Sequence, residues 1–290
     1  MKGVIIMKEN IKIGMIQMKV LSDIFSTEIR QENVKYACLQ ISNLLEANEN
    51  VDIVVLPEEF YAGAGYGPIS LQDDYELIKE TVFSEFSQIA KRYHVNIAGA
   101  LSTKFDSNSF RGNNIGFVIN RNGELVGIQE RFHQTANEKP YSYSGKEYNV
   151  FELDLGKIAL MIGVDSFYPE VARNFVLKGA EIIINPILAP GNTENTGEIF
   201  PNNLYKYCAI TRALENQVFT VMVNGVGEFA HVEMDLFGES LVAGPIGLVE
   251  KLGFEEDYKV ISIHVSDLAA SNKNMAIMNL RNSDICKVVN

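Results

Sequence analysis

Apolar and polar positions along the chain follow two rhythms. Short continuous apolar runs, "VDIVVLP" at 51–57, "VNIAGALS" at 95–102, "KIALMIGV" at 157–164, "AEIIINPIL" at 180–188 and "VFTVMVNGVG" at 218–227, predict strands buried on both faces. Residues 11–20 and "YKVISIHV" at 258–265 predict two more strands. Between these runs, apolar residues fall at helical spacing over 28–47, 71–93, 169–177 and 203–216, which predicts amphipathic helices. Two hairpins interrupt the alternation. One is centred on Asn122-Gly123 within 113–133 and the other spans "ESLVAGPIGLVEKL" at 239–252; Asn-Gly between apolar runs is a tight-turn signal. Residues 137–148 are polar and aromatic and are expected to be irregular. The pattern describes an α/β chain with mixed sheets.

No linker, low-complexity segment or repeat divides the 290 residues, so one domain is expected over 1–290, with its core at about 11–265 and a tail at 266–290 of mixed charge. That tail is expected to pack on a neighbouring molecule. The composition, 47% hydrophobic and 21% charged with a net charge of −12, is that of a globular protein. An acidic surface disfavours nucleic acid and anionic membranes as partners, since both are bound through basic patches. Cys38, Cys208 and Cys286 have no metal or redox spacing, and His94, His133, His231 and His264 are scattered. Neither a metal nor a cofactor is expected. No apolar run approaches the ~20 residues of a membrane span, and "VIIM" at 4–7 is too short for a signal-peptide core. A cytoplasmic location is expected.

Four stretches carry candidate chemistry: "VVLPEEF" with Glu58, "GIQERFH" with Arg131, "GKIALMIGVDSFYPE" with Gly163, and "TRALENQVFTVMVNGVG" followed by "FGESLVAGPIGLV". In order and spacing they resemble the nitrilase superfamily of carbon–nitrogen hydrolases, from about residue 11 to about residue 265. The resemblance implies a four-layer α-β-β-α sandwich, usually in a homodimer or larger assembly. It also implies a Glu–Lys–Cys triad with a second glutamate in support. There a thiolate attacks an amide or nitrile carbon, a glutamate moves protons, and a lysine with a backbone N–H holds the oxyanion.

Glu58 matches the triad glutamate, and Glu138, in "NEKPYSYSG", the supporting one. Arg131 stands where the family has lysine. Its larger planar fork suits a carboxylate better than an oxyanion. Gly163 stands where the family has cysteine, and placing the pattern requires no gap. Phe60, Tyr61, His133, Tyr141, Tyr143, Val164, Asp165 and Phe167 are expected to line the pocket, with specificity set by loops at 62–70 and 191–199.

Two functional readings stay open. In the first, the chain is a degenerate member without ordinary amidase or nitrilase activity, kept for assembly or for binding a small, carboxylate-bearing ligand at Arg131. In the second, it is an enzyme on a small amide or nitrile, with Glu58 activating water. Ser166 is expected to cap the following helix, and it, Cys208 and Lys139 are minor candidates to replace the missing groups. Laboratory replacement of a cysteine is a further explanation of Gly163, against which the simultaneous change at Arg131 argues. An inactive subunit beside an active relative is the remaining reading.

Overall fold

The computed structural model describes residues 8–20, 27–63, 73–191, 204–229 and 234–283. Two six-stranded mixed sheets pack face to face. The first has the order β14 (Asp257–His264), β1 (Asn10–Gln17), β2 (Ile53–Glu58), β3 (Asn96–Thr103), β4 (Asn113–Ile119), β5 (Leu125–Glu130). The second runs β13 (Gly247–Lys251), β12 (Leu241–Gly244), β9 (Phe219–Val223), β8 (Ile182–Pro186), β7 (Gly156–Leu160), β6 (Val150–Leu153). In each sheet the central pairings, β1–β2–β3 and β7–β8–β9, are parallel. The outer pairings are antiparallel.

The continuous apolar runs have a direct cause. Side chains alternate across a strand, and here both faces are covered. Ile13, Met15, Ile53 and Val55 meet Ile158, Leu160, Ile182, Ile184 and Val221 between the sheets. Their neighbours Val54, Leu56, Ile97 and Phe117 turn outward, against α1 (Thr27–Ala47) and α3 (Ser84–Tyr93). On the far side, Ala159, Met161 and Ile183 pack on α4 (Pro169–Leu177), and Met222, Leu241 and Ala243 on α5 (Leu204–Asn216). The layers are therefore α-β-β-α.

The helix expected over 71–93 begins as α2 (Tyr75–Ile78) and passes through a π-helical turn, Lys79–Phe83, before α3. The short strand β6 and the hairpin β10 (Val226–Phe229) and β11 (Met234–Phe237) escape the sequence reading, because four residues carry too little periodicity. The tail packs on its own chain. As far as residue 283 it folds back on its own chain, forming α6 (Ser266–Asn274), with Leu268 in the inter-sheet core and Gln217 bonded to Ser271 Oγ at 2.8 Å. Among the described residues no helix is long and apolar enough to cross a membrane.

Candidate functional site

β2 and β7 are parallel strands whose carboxyl ends meet at one edge of the sandwich, where crevices form in sheets of this kind. β2 delivers Glu58 there, 4% exposed. Its N–H donates to Ile187 O at 3.2 Å, and Leu188 N donates back to Glu58 Oε2 at 3.2 Å. Glu58 is thus fixed across both sheets. The next residue, Glu59, has φ +53°, a left-handed conformation that costs a non-glycine residue energy and clusters at functional sites. Ser102 Oγ donates to Glu59 Oε1 in a short bond. Asn114 Nδ2 bridges the two glutamates, 2.7 Å from Glu58 Oε1 and 3.2 Å from Glu59 Oε1.

Arg131 follows β5 and is held by its backbone to Asn114 O at 2.9 Å and Gly145 N at 2.8 Å. Its guanidinium forks. Nη1 donates to Glu58 Oε1 at 2.9 Å and Nη2 to Glu138 Oε1 at 2.6 Å. Both terminal nitrogens of the group expected to take a ligand carboxylate are therefore engaged within the protein. Thr135 N fixes the other Glu138 oxygen at 2.8 Å.

β7 leads into a 3-10 turn, Gly163–Phe167. Gly163 has φ +51°, and a Cβ on it would lie 2.4 Å from Glu58 Oε2. The Glu58 carboxylate thus stands where any side chain at 163 would begin. Asp165, 1% exposed, accepts from Phe132 N at 3.0 Å and from His133 N at 2.8 Å, and lies 2.8 Å from His133 Nδ1. It bolts this turn to the Arg131 segment. His133 stacks on Tyr168 at 3.5 Å.

Charge in the cluster is unbalanced. Burial, reinforced by Glu59 and Glu138 and opposed by Arg131, pushes the Glu58 carboxyl up to about 8. Burial likewise raises Glu59 to about 7 against the Ser102 hydrogen bond and Arg131. Burial works the same way on Glu138, but the Arg131 charge and hydrogen bond outweigh it and hold that carboxyl below its usual range. Burial would lower Arg131, but Glu58 and Glu138 reverse this and raise it. The pairing with Arg131 favours the ionised form of Glu138, whereas burial favours the protonated forms of Glu58 and Glu59.

A model of the carbon–nitrogen hydrolase family matches residues 12–270. The chain belongs to that family. It is 28% identical over 246 residues to a protein of Schizosaccharomyces pombe named a probable nitrilase, covering 84% of this chain and 87% of that one. A carbon–nitrogen hydrolase of Helicobacter pylori G27 superposes with a TM-score of 0.81 at 21% identity, over 95% of this chain and 97% of its own. A variant amidase of Nesterenkonia sp. AN1, with the acetamide moiety of fluoroacetamide on its active-site cysteine, superposes at 0.70 with 18% identity, over 93% and 95%.

In this carbon–nitrogen hydrolase family member, Glu58, Arg131, Glu138 and Gly163 converge, with Asp165 and His133 beside them. Val164 is half-buried in the same turn. Several expected lining residues lie elsewhere. Past the left-handed Glu59, Phe60 enters the outer core against Phe86 and Phe117, and the Tyr61 hydroxyl bonds Asp73 at 2.6 Å. Phe167 packs on Tyr205 of α5, and Tyr143 lies under the Arg111 guanidinium. Tyr141 is half-buried, its carbonyl accepting from Gly112 N at 2.9 Å.

The minor substitutes do not reach the cluster. Lys139 is exposed. Cys38 and Cys208 sit on the outer helices α1 and α5, where burial raises both thiols, Cys38 to about 12. Ser166 caps no helix. Its hydroxyl donates to Gly163 O at 2.8 Å inside the 3-10 turn, while Pro169 opens α4. His231, Cys286 and most of the two specificity loops lie outside the described residues. Glu59, Asn114 and Ser102 were missed. The doublet "PEEF" was the available signal for Glu59; nothing in the sequence marks the other two.

Proposed function

We propose that this carbon–nitrogen hydrolase family member is a binding protein for a small polar ligand and does not carry out thiol-dependent amide or nitrile hydrolysis. The observation that carries this reading is the Glu58 carboxylate within 2.4 Å of the Cβ position of Gly163. The missing side chain is one feature and the Glu58 carboxyl over its place is a second; a side chain at 163 would have to displace that carboxyl. Arg131 supports the reading, because its guanidinium is forked between Glu58 and Glu138, an arrangement suited to carboxyls and not to an oxyanion. The cysteine adduct of the Nesterenkonia amidase illustrates the route that Gly163 closes.

The opposing reading draws on Glu58 alone. A carboxyl held near 8 is in range for proton transfer at neutral pH, so Glu58 with water is the route that remains. Ammonia release from a panel of amides and nitriles separates the two. The expected outcome is silence from the unmodified protein, with release, if any, only from the double variant Gly163→Cys with Arg131→Lys. Release by the unmodified protein that disappears in Glu58→Gln would replace the binding role with water-based hydrolysis.

A further inference from the structure

We propose that the groove between α1 and the π-helical turn Lys79–Phe83 is a binding site for an amphipathic amine, a ligand with an apolar body and an ammonium end. The groove has a volume of about 390 Å³, within the roughly 300–1,000 Å³ of small-molecule sites. Val34 and Tyr61, 5% and 4% exposed, form its floor with the half-buried Cys38. Its surface is mostly apolar. Tyr61, expected from the sequence to line the Glu58 cluster, lines this groove instead. The groove shares no residue with that cluster, so it stands independently of what the cluster does.

The local sequence accounts for the shape. Gln31, Val34, Lys35 and Cys38 recur at steps of three and four residues, which places them on one face of α1. The facing wall is Glu80 and Thr81 of the π-helical turn and Glu85 in the first turn of α3. A π-helical turn closes its hydrogen bonds over five residues instead of four, and such turns occur often at functional sites. The Tyr61 ring is fixed at both ends: its hydroxyl donates to Asp73 Oδ2 at 2.6 Å, and its carbonyl accepts from Asn33 Nδ2 at 3.0 Å. A floor held in place in advance lowers the ordering cost of binding. Burial, reinforced by Glu85, pushes the Cys38 thiol up to about 12, so at neutral pH it presents a soft, uncharged surface.

The charges on the lips select the polar end of the ligand. Glu80 and Glu85 stand on one wall and Lys35 on the other, all three exposed. Among the described residues none of the three is in an ion pair. Lys79, the next cation along the turn, is drawn to Glu76 at 2.8 Å. An ammonium lying over the apolar floor therefore meets two carboxylates, whereas a carboxylate there meets two like charges against one opposite.

The test uses the full chain with 4-phenylbutylammonium chloride, against 4-phenylbutan-1-ol and sodium 4-phenylbutyrate at equal ionic strength and pH 7.5. Titration calorimetry is the first readout. The expected result is saturable binding in the order amine, alcohol, carboxylate, with the amine at least fivefold tighter than the carboxylate. That gap should narrow as salt is raised, because the lip charges are exposed. In the double variant Glu80→Lys with Glu85→Lys the order of amine and carboxylate should invert. Bound amine should also slow the labelling of Cys38 by a methanethiosulfonate reagent, read by peptide mapping, and leave the rate at Cys208 on α5 unchanged. Absence of saturable binding, equal affinity for amine and carboxylate, or amine binding unaltered in the double variant would each overturn the proposal. So would an unchanged labelling rate at Cys38. Cys38→Trp fills the groove and should abolish binding. If that variant does not fold, the double variant decides, since both of its positions lie on the surface.

Discussion

Glu59 and Glu239 are the same residue in nearly the same backbone state, φ +53° and +52°, and both are buried. Their surroundings differ. Glu239 is gripped by Lys206 at 3.1 Å and by Lys251 in a short ion pair. Burial works to raise its carboxyl, but the bonds to Lys251 and Lys206 prevail and lower it. Asp52, 2% exposed, is treated the same way by Lys8 at 2.9 Å and Arg121 at 2.8 Å. Glu59 has the Ser102 hydroxyl and backbone and a shared amide in place of a paired cation, and burial raises it to about 7. Glu239 and Asp52 are thus matched with cations. Among the described residues Glu59 has no such ion pair, and a buried acid so placed in a strand-end crevice is what a functional site looks like.

The contrast is broken hardest by removing the cation from each cluster. Arg131→Ala leaves Glu58 and Glu138 without their shared partner in the interior. The expected loss is about 3–5 kcal/mol in denaturant unfolding at neutral pH. Lys206→Ala leaves Lys251 on Glu239 and should cost about 1 kcal/mol. Similar losses from the two variants would mean that the site is no more strained electrostatically than Glu239, and the comparison would fail.

A smaller effect tests the closure of Gly163. Gly163→Ala combines a left-handed backbone angle unsuited to alanine with a Cβ 2.4 Å from Glu58 Oε2, and it should cost roughly 1–3 kcal/mol. Part of that cost is steric and should vanish when Glu58→Ala is added, so that the double variant loses less than the sum of the two single losses. Additive losses would show that Glu58 does not occupy the place of the missing side chain. The Cys-bearing double variant must displace the same carboxylate, so its melting temperature belongs beside its activity.

The layers were legible because their cause is local. A run such as "AEIIINPIL" can only be buried on both faces, and Pro169 marks the start of α4 where the sequence places it. Glu58, Arg131 and Gly163 were legible through the order of their motifs, and the geometry brings them together. The lining aromatics were not, because a ring two residues from a site residue faces either way according to one backbone angle. The left-handed Glu59 sends Phe60 into the core. Nor was the double pairing of Arg131 legible, since the reach of Glu138 depends on an irregular segment fixed by Thr135. Asn114 joins Glu58 to Glu59 from 55 residues away in sequence, and only the register of β4 against β3 puts it there.

The smallest effect is the most specific to Glu59. A carboxyl raised above its unfolded value of 4.5 contributes stability that is present at acid pH and lost as pH rises through its folded value. Glu58 and Glu59 therefore weaken the fold progressively from about pH 4.5 toward about 8 and about 7. Glu239, Asp52 and Glu138 are lowered and act in the opposite sense, stabilising above their unfolded values and failing only as pH drops below them. The sum places maximum stability in mildly acidic solution. Glu59→Gln removes one titrating proton while keeping the Ser102 and Asn114 contacts in reach. Between pH 5 and pH 7 it should flatten the decline by about 1 kcal/mol per pH unit, measured by urea unfolding at half-unit intervals. Unchanged slopes would mean that Glu59 is ionised throughout and that the excess of carboxylate is relieved elsewhere. A flattened slope would mean that the proton sits where the structure leaves an acid without a cation.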